Sequence, residues 1–145
     1  MTDFVQASHA VTVRTAGKGF YEITRNLAQW LDTVAAEDGL LTVFVCHTSA
    51  SLTIQENADP DVQHDLLTAL EKIAPEGDHY AHAAEGPDDM PSHIKAMLTS
   101  VSLSIPVQGG RMMLGTWQGV YLIEHRAAPH RRTIALNFIG QAGGA

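Results

Sequence analysis

The chain has 145 residues, a formal net charge of −7 and a single cysteine. This length suits one compact domain, the acidic balance argues against a general nucleic-acid-binding surface, and one cysteine excludes an intrachain disulfide. No apolar run reaches the roughly 18 residues of a membrane span, and the first residues lack a signal-peptide pattern, so we expect a cytoplasmic protein without a membrane partner.

The first part of the chain predicts strands on either side of one helix. The segment FVQASHAVTVRT alternates as a strand does, and FYEITRNLAQWLDTVAAEDG predicts a helix that ends at Gly39. The apolar face of this helix contains Ile23, Leu27, Trp30, Leu31 and Val34. The next run, LLTVFVCHTSASLTIQEN, predicts two strand segments at residues 41–47 and 51–55.

A second helix is well marked at its start. Asp59 is a natural N-cap, Pro60 occupies the first helical position, and Asp61 favours the positive end of the helix dipole. Pro75 ends the helix. The face that we expect to be buried contains Val62, Leu66, Leu70 and Ile73.

The rest of the chain predicts one long loop, a short helix and four strands. The polar segment EGDHYAHAAEGPDDMPSH has no periodicity, and such long connections are usually functional or disordered. A short helix begins near Pro91, and the strands VSLSIPV, RMMLGT, GVYLIEH and RRTIALNFI follow. The pattern predicts an α+β fold with a mostly antiparallel sheet, as a single domain over residues 1–140 with a flexible tail at residues 141–145.

Eight histidines are a high count for this length, and four of them lie where a site can form. They occupy a strand end, the long connection and the start of the short helix: His47, His79, His82 and His93. A catalytic zinc site uses three protein ligands and one open position, and ligands from such elements can converge. The alternative is a set of independent surface histidines, because the spacing between His82 and His93 matches no short zinc motif.

Polar residues also follow and precede the second strand segment. Glu56 could act as a general base or orient a metal-bound histidine, and Asn57 lies beside it. The hydroxyl groups of Thr48 and Ser49 suit contacts to phosphate or water. Such residues are equally common in turns without any ligand.

The last predicted turn, HRAAPHRR, concentrates three of the nine basic residues, Arg126, Arg131 and Arg132. Guanidinium groups match phosphate geometry, so the turn could bind an anion. The alternative is a solvated hairpin tip. Glu124 precedes this turn within an apolar strand, where an unpaired carboxylate is costly. It therefore faces solvent or has a partner, either Arg126 or an arginine of another subunit.

The segment LGTWQG places Trp117 and Gln118 between two glycines. Glycines there permit a tight turn or a close backbone approach, so both side chains could face a pocket. The alternative is a hairpin whose tryptophan packs in the core.

Four ordered segments give the chain a resemblance to the YjbQ-like family: HTSASLTIQENADPDVQHDL, HYAHAAEGPDDMPSHIKA, IPVQGGRMMLGTWQGVYLIEH and RRTIALNFIG. Members of this family are often labelled secondary thiamine-phosphate synthase enzymes. The resemblance runs from about Phe4 to Gly140. It implies an α+β subunit with an antiparallel sheet sandwich, and a homotrimer with pockets at or near the subunit interfaces.

The resemblance also implies a set of site residues and a divalent metal, zinc first and magnesium as the alternative. The family's histidines and Glu-Asn pair fall on His47, His82, His93, Glu56 and Asn57. Its GTWQG segment falls here on residues 115–119, with Glu124 following. The family commonly has an asparagine shortly before the last histidine, whereas this chain reads DDMPSH. Either Asp89 or Ser92 takes that place, or the loop follows a different course.

Residues and resemblance together predict a metal site for a small anionic, phosphorylated ligand. The predicted metal ligands are His47, His82 and His93. The predicted catalytic residues are Glu56, Gln118 and Glu124. The predicted substrate contacts are Thr48, Ser49, Asn57, Trp117, Arg131 and Arg132. The resemblance alone implies thiamine-phosphate synthase-type transfer. The alternatives are metal-dependent hydrolysis of a small phosphorylated compound and a non-enzymatic trimeric metal- or ligand-binding protein.

Overall fold

A computed structural model describes residues 2–143, in which eight strands and three helices form one α+β unit. The elements are β1 Thr2–Thr15, β2 Gly19–Glu22, α1 Thr24–Val34, β3 Ala36–Val45, β4 Ala50–Glu56, α2 Pro60–Ile73, α3 Asp89–Leu98, β5 Ser102–Gln108, β6 Arg111–Met112, β7 Gln118–Glu124 and β8 His130–Gly143. Every helix within the described residues is too short or too polar to cross a lipid bilayer.

The strands form two antiparallel sheets, which confirms the predicted fold class. The five-stranded sheet has the order β1-β8-β3-β5-β6, and the three-stranded sheet has the order β2-β7-β4. The apolar core includes residues of both sheets and of α1. On β8, Ile134, Leu136 and Phe138 are buried in this core, while the intervening side chains lie on the opposite face because successive strand residues alternate.

The first helix is shorter than the sequence predicts. Residues 19–22 form β2, since Phe20 and Tyr21 pair with β7 and are drawn into the sheet. Helix α1 then runs from Thr24 to Val34 and ends at Ala35, which adopts a left-handed backbone with φ of 57°. The predicted apolar face is correct at its centre, where Leu27 and Leu31 are buried.

Gly39 does not end the helix, as the sequence suggested, but lies within β3. It pairs with Gly140 of β8, and a Cβ on Gly39 would lie 2.4 Å from the carbonyl oxygen of Ile139. Gly140 has φ of 155°, and a Cβ there would lie 2.3 Å from the carbonyl oxygen of Asp38. The two glycines therefore permit a close backbone approach at a bulge between β3 and β8.

Helix α2 begins as predicted but is not buried as predicted. Asp59 caps it, because its carboxylate accepts a hydrogen bond of 2.9 Å from the backbone N–H of Asp61. No residue of α2 is buried within this chain, and Ile73 of its apolar face is 60% exposed. The expected buried face is therefore only partly covered by the rest of the chain.

Helix α3 begins at Asp89, two residues before the predicted start at Pro91. Its buried side includes Asp89, Ser92 and Lys95, an unusually polar set for a buried helix face. Two of these residues come from the DDMPSH segment, so that segment is helical and partly buried instead of forming a free loop.

Three residues of the predicted tail belong to a strand. Strand β8 continues through Gly143, whose backbone N–H donates to the carbonyl oxygen of Ala35 at 2.7 Å. Ala142 pairs with Asp3 on β1 and with Ala36 on β3. Residues 141–143 thus belong to the sheet because both neighbouring strands supply backbone partners, and the last two residues of the predicted tail lie outside the described residues.

Candidate metal centre and its charge network

Two of the predicted histidines meet one carboxylate. Asp89 and His93 are four residues apart on α3 and therefore share one helix face. His82 reaches the same point from the long connection before α3. Its Nε2 lies 2.6 Å from Asp89 Oδ2, and Nε2 of His93 lies 3.2 Å from the same oxygen. One ligand atom from each residue lies within 4.8 Å of the other two, so the group could hold a metal ion.

The orientation of His93 is set from the other side of its ring. Nδ1 lies 2.9 Å from the carbonyl oxygen of Thr48. A carbonyl oxygen only accepts, so Nδ1 carries the hydrogen and Nε2 presents a lone pair in the neutral ring. Two acceptor atoms, Nε2 of His93 and Oδ2 of Asp89, then face each other at 3.2 Å. A cation between them, either a proton or a metal ion, resolves that conflict.

Arg126 keeps Asp89 in place and ionised. Its Nη1 donates to Asp89 Oδ1 at 2.7 Å, and its Nε donates to Asp88 Oδ2 at 3.0 Å. Burial alone would raise the pKa of the Asp89 carboxyl, but the hydrogen bond from His82 and the charges of His93 and Arg126 outweigh it and lower that pKa. Asp89 is therefore a buried carboxylate with one oxygen fixed by an arginine and the other facing both imidazoles.

His47 is not a member of this group. Its Nε2 accepts a hydrogen bond of 2.7 Å from the backbone N–H of Thr133. Burial and the nearby charge of Arg132 lower the pKa of His47, so its ring is neutral at pH 7. Nε2 of His47 is thus already hydrogen-bonded to the backbone, and Asp89 provides the third atom of the group.

Glu124 is paired, and its ion-pair partner is Arg132, whereas Arg126, which was considered from sequence, contributes only its backbone N–H. Arg132 donates from Nε to Oε1 at 2.8 Å and from Nη2 to Oε2, a two-point contact typical of arginine and carboxylate. Thr15 Oγ1 and the backbone N–H of Arg126 supply two more bonds. Glu124 is completely buried. These contacts favour a structural role for Glu124 over proton transfer.

The same ion pair connects with the start of β4. Nη2 of Arg132 donates to Ser49 Oγ at 3.0 Å, and Arg132 is only 3% exposed. Thr48 lies beside His93 through its carbonyl oxygen, while the Arg132 guanidinium forms its ion pair with Glu124. Of the three arginines in the last turn, Arg126 and Arg132 both form internal ion pairs within residues 2–143.

Four predicted site residues, Glu56, Asn57, Trp117 and Gln118, lie at the opposite end of the three-stranded sheet. In the β4–β7 pair, Ala50 faces Glu124 and Glu56 faces Gln118. These two positions are six residues apart along β4, which is about 20 Å. Asn57 joins the far end, because its backbone N–H donates to the carbonyl oxygen of Trp117. Glu56, Asn57, Trp117 and Gln118 therefore form a group of their own, separate from the residues at the start of β4.

Trp117 does not pack in the core, which was the alternative considered from sequence. Its side chain is 62% exposed, and Gln118 beside it is also exposed. Gly119 is buried, and a Cβ there would lie 2.7 Å from Glu22 Oε2 and 3.1 Å from Asn57 Cβ. The glycine after Gln118 thus permits Glu22 and Asn57 to approach the backbone at this end of the sheet.

Sequence reasoning missed the positioning role of Arg126 and the neighbouring carboxylate of Asp88. Asp88 Oδ2 accepts from Arg126 Nε and from the backbone N–H of Ala127 at 2.8 Å. The DDMPSH segment offered one signal, since an aspartate four residues before a histidine predicts a shared face once the segment is known to be helical. The position of the arginine depended on how the last turn meets the long connection.

Comparisons with known proteins agree on one family. The family model described as UPF0047 protein YjbQ-like matches residues 9–141. UPF0047 protein sll1880 of Synechocystis is 45% identical over 139 residues, which are 95% of each chain. UPF0047 protein YjbQ of Salmonella typhimurium is 43% identical over 132 residues, covering 90% of this chain and 96% of its own. These names state a family and no activity.

Solved structures show the same fold. A YjbQ/UPF0047 family protein of Clostridium acetobutylicum, described as uncharacterised, superposes with a TM-score of 0.84 at 37% identity. The match covers 90% of this chain and 99% of that one. A hypothetical protein of Aeropyrum pernix superposes with a TM-score of 0.85 at 29% identity, covering 92% and 98% of the two chains.

Proposed function

This chain belongs to the YjbQ-like UPF0047 family, and from that premise we propose that it binds one divalent metal ion at His82, Asp89 and His93 to hydrolyse a small phosphorylated compound. The observation that supports this proposal most directly is the convergence of two Nε2 atoms on one oxygen of a buried, ionised carboxylate. Three protein ligands with room for others are the arrangement of catalytic zinc sites.

The ligand set favours zinc over magnesium. Imidazole nitrogen suits zinc and its neighbours among the first-row metals, whereas magnesium prefers oxygen ligands and keeps several waters. Two histidines and one carboxylate also suit ferrous iron. A bound divalent cation of this kind lowers the pKa of water and polarises a phosphoryl oxygen. We therefore expect zinc to be preferred to magnesium at this group.

The residues around the metal group orient its ligands or lie where a proton can be accepted. The Thr48 carbonyl fixes the tautomer of His93, and Arg126 fixes one oxygen of Asp89. His82 is 46% exposed at its side chain, so the group is open to solvent on that side. The carboxylate of Glu85 lies there, 3.4 Å from His82 Nε2 and 65% exposed. That position suits acceptance of a proton from water, with release to solvent.

Hydrolysis is preferred to the transferase reaction because it requires only one bound substrate beside the group. Thiamine-phosphate synthase-type transfer rests on the family resemblance, and two substrates would have to be positioned. In the hydrolytic proposal, Thr48 and Ser49 contact the phosphorylated ligand, because their segment supplies the carbonyl that orients His93.

The turnover experiment uses protein stripped with a chelator and reloaded with zinc, manganese or magnesium. We expect zinc-loaded protein to release phosphate from at least one member of a panel of phosphate monoesters and pyrophosphates. Asp89→Asn should lower kcat/KM by at least about 100-fold, whereas His64→Ala, an exposed position on α2, should leave it unchanged.

Other outcomes of the panel contradict the proposal in recognisable ways. Condensation of a pyrimidine pyrophosphate with a thiazole phosphate, without hydrolysis, would favour the transferase. Ligand binding without any turnover would favour the metal- or ligand-binding protein. Activity that survives both chelation and Asp89→Asn would remove the metal from the reaction.

The proposal includes a homotrimer. The partly covered apolar face of α2 and the exposed side chains of Phe44 and Ile139 support further association of the subunit. In such an assembly, the distant group at Glu56 and Gln118 can belong to a neighbour's site. Multi-angle light scattering at micromolar protein should give about three times the chain mass, and a monomer mass would refute the assembly.

A further inference from the structure

Two arginines face each other across the β1–β8 pair. Arg14 and Arg131 are register partners, and both are exposed. Side chains directly opposite on antiparallel strands have Cβ atoms about 5 Å apart, and like charges there are destabilising. Arg132, the next residue, is directed into the core toward Glu124. By strand alternation, the arginine pair therefore lies on the outer face of the five-stranded sheet.

The charge of this pair is not neutralised by the chain in the part that the structure describes. The arginine ion pairs within residues 2–143 are those of Arg126 with Asp88 and Asp89, and of Arg132 with Glu124. Arg14 and Arg131 thus retain two complete sets of guanidinium donors. The chain has a net charge of −7, so these two adjacent arginines form a local positive patch on an acidic protein. An anionic ligand bound between them would reduce their mutual repulsion.

A depression of about 370 Å³ opens beside the pair and is lined by Arg14, Thr15, Pro129, His130 and Arg131. His130 donates from Nδ1 to the carbonyl oxygen of Ala128 at 2.8 Å, which leaves Nε2 for a second interaction. The depression is therefore large enough for a phosphate group, and its lining includes both guanidinium groups.

We propose that this depression, the arginine-pair site, binds a phosphate group, either inorganic phosphate or the phosphate of a monoester. Two guanidinium forks present several N–H donors to the oxygens of one phosphate, and each charge-assisted bond is stronger than a neutral one. The site is separate from the metal group, because α3 packs against β4 of the other sheet while the arginine pair lies on the outer face.

The test uses inorganic phosphate as the probe and the full chain in phosphate-free buffer. Wild-type protein is titrated by calorimetry and by ¹H–¹⁵N NMR, beside Arg14→Gln, Arg131→Gln and the double variant. Each single variant should weaken phosphate binding at least about tenfold, and the double variant should lose it. Sulfate should compete with phosphate, and acetate should compete poorly.

Matched variants control for net charge. Arg25→Gln and Arg111→Gln each remove one exposed arginine elsewhere and should leave the affinity within about twofold of wild type. If the control variants weaken phosphate binding as much as the Arg14 and Arg131 variants do, the effect comes from the net charge of the protein alone, and the site is overturned. Unchanged binding by the double variant would overturn it as well.

Two further results separate this site from the metal proposal. His93→Ala protein and chelator-treated wild type should bind phosphate as well as untreated protein, and loss of binding in both would move the phosphate to the metal group. If wild-type protein binds no phosphate at concentrations up to about 10 mM, its affinity is weaker than that of a complex with a Kd of about 1 mM. That result would overturn the site, and the arginine pair would then be expected to contact carboxylates of a second copy of the chain.

Discussion

Replacing His93 by alanine is expected to reduce bound zinc from about one ion per chain to less than about one tenth of that amount, because two ligands are too few for a zinc site. Asp89→Asn should reduce it comparably, since the amide replaces an ionised oxygen that faces both imidazoles. Elemental analysis after dialysis against zinc measures the content, and circular dichroism confirms that each variant is folded.

Two other histidines complete the design. His47→Ala should retain zinc, because Nε2 of His47 already accepts from the backbone of Thr133. His64→Ala should also retain it, as an exposed histidine of α2. The prediction of three histidines from sequence expects the opposite pattern, with loss in His47→Ala and retention in Asp89→Asn. The zinc contents of His47→Ala and Asp89→Asn, measured side by side, therefore decide between the two ligand sets.

A folded His93→Ala protein with its full zinc content would contradict both ligand sets. The contacts among His82, Asp89 and His93 would then be a hydrogen-bonded cluster in which a proton, instead of a metal ion, lies between the ring and the carboxylate. The proposal of metal-dependent hydrolysis would then also be wrong, whereas the proposal of the arginine-pair site would be unaffected.

Replacing Arg132 by methionine should lower the free energy of unfolding by about 3–5 kcal/mol, because it leaves the buried Glu124 carboxylate without its counter-charge. Urea denaturation followed by tryptophan fluorescence measures the change. Arg131→Met is the matched control: it removes the same side chain one residue earlier, where the arginine is exposed. That variant should change the free energy of unfolding by no more than about 0.5 kcal/mol.

A double variant distinguishes charge from packing. Adding Glu124→Gln to Arg132→Met removes the uncompensated charge and should recover part of the lost stability. Should the double variant be less stable than Arg132→Met, the loss would come from packing at this position, and the ion-pair explanation would be wrong.

The same pair predicts a pH dependence with a defined sign. Burial raises the pKa of Glu124, but the bonds from Arg132 and Thr15 outweigh it, so the folded-state pKa lies below the ordinary value of 4.5. The pair therefore stabilises the folded protein above about pH 4.5, and that contribution is lost as the pH falls through the folded-state pKa. In Arg132→Met, where the carboxylate is buried without a partner, stability should instead fall as the pH rises past 4.5.

Much of the fold was predictable because its signals are local. The start of α2 depends on Asp59 and Pro60, whose capping and backbone effects act within one helical turn. The core face of α1 follows from the spacing of Leu27 and Leu31. The four ordered segments were enough to identify the family. The predictions were wrong where pairing between strands outweighs the local preference of the sequence. This occurs at β2, which was predicted as helix, at Gly39, which was predicted to end that helix, and at residues 141–143, which were predicted as a tail.

The sequence by itself determined which residue types are present for chemistry, and the tertiary structure decided which of them meet. His82 and His93 are brought to Asp89 by the path of the long connection and the early start of α3, neither of which has a periodic signal. The register of β4 on β7 places Glu56 about 20 Å along the strand from Ala50, at the opposite end of the pair from Glu124, although Glu56 lies only nine residues from His47 in the chain.

The arginines illustrate the same division. Arg131 and Arg132 are adjacent and chemically identical, so sequence assigned both to one anion-binding turn. Strand alternation requires them to lie on opposite faces, but only the packing of the two sheets decides which face is the core. Arg132 is therefore buried against Glu124, while Arg131 is exposed opposite Arg14.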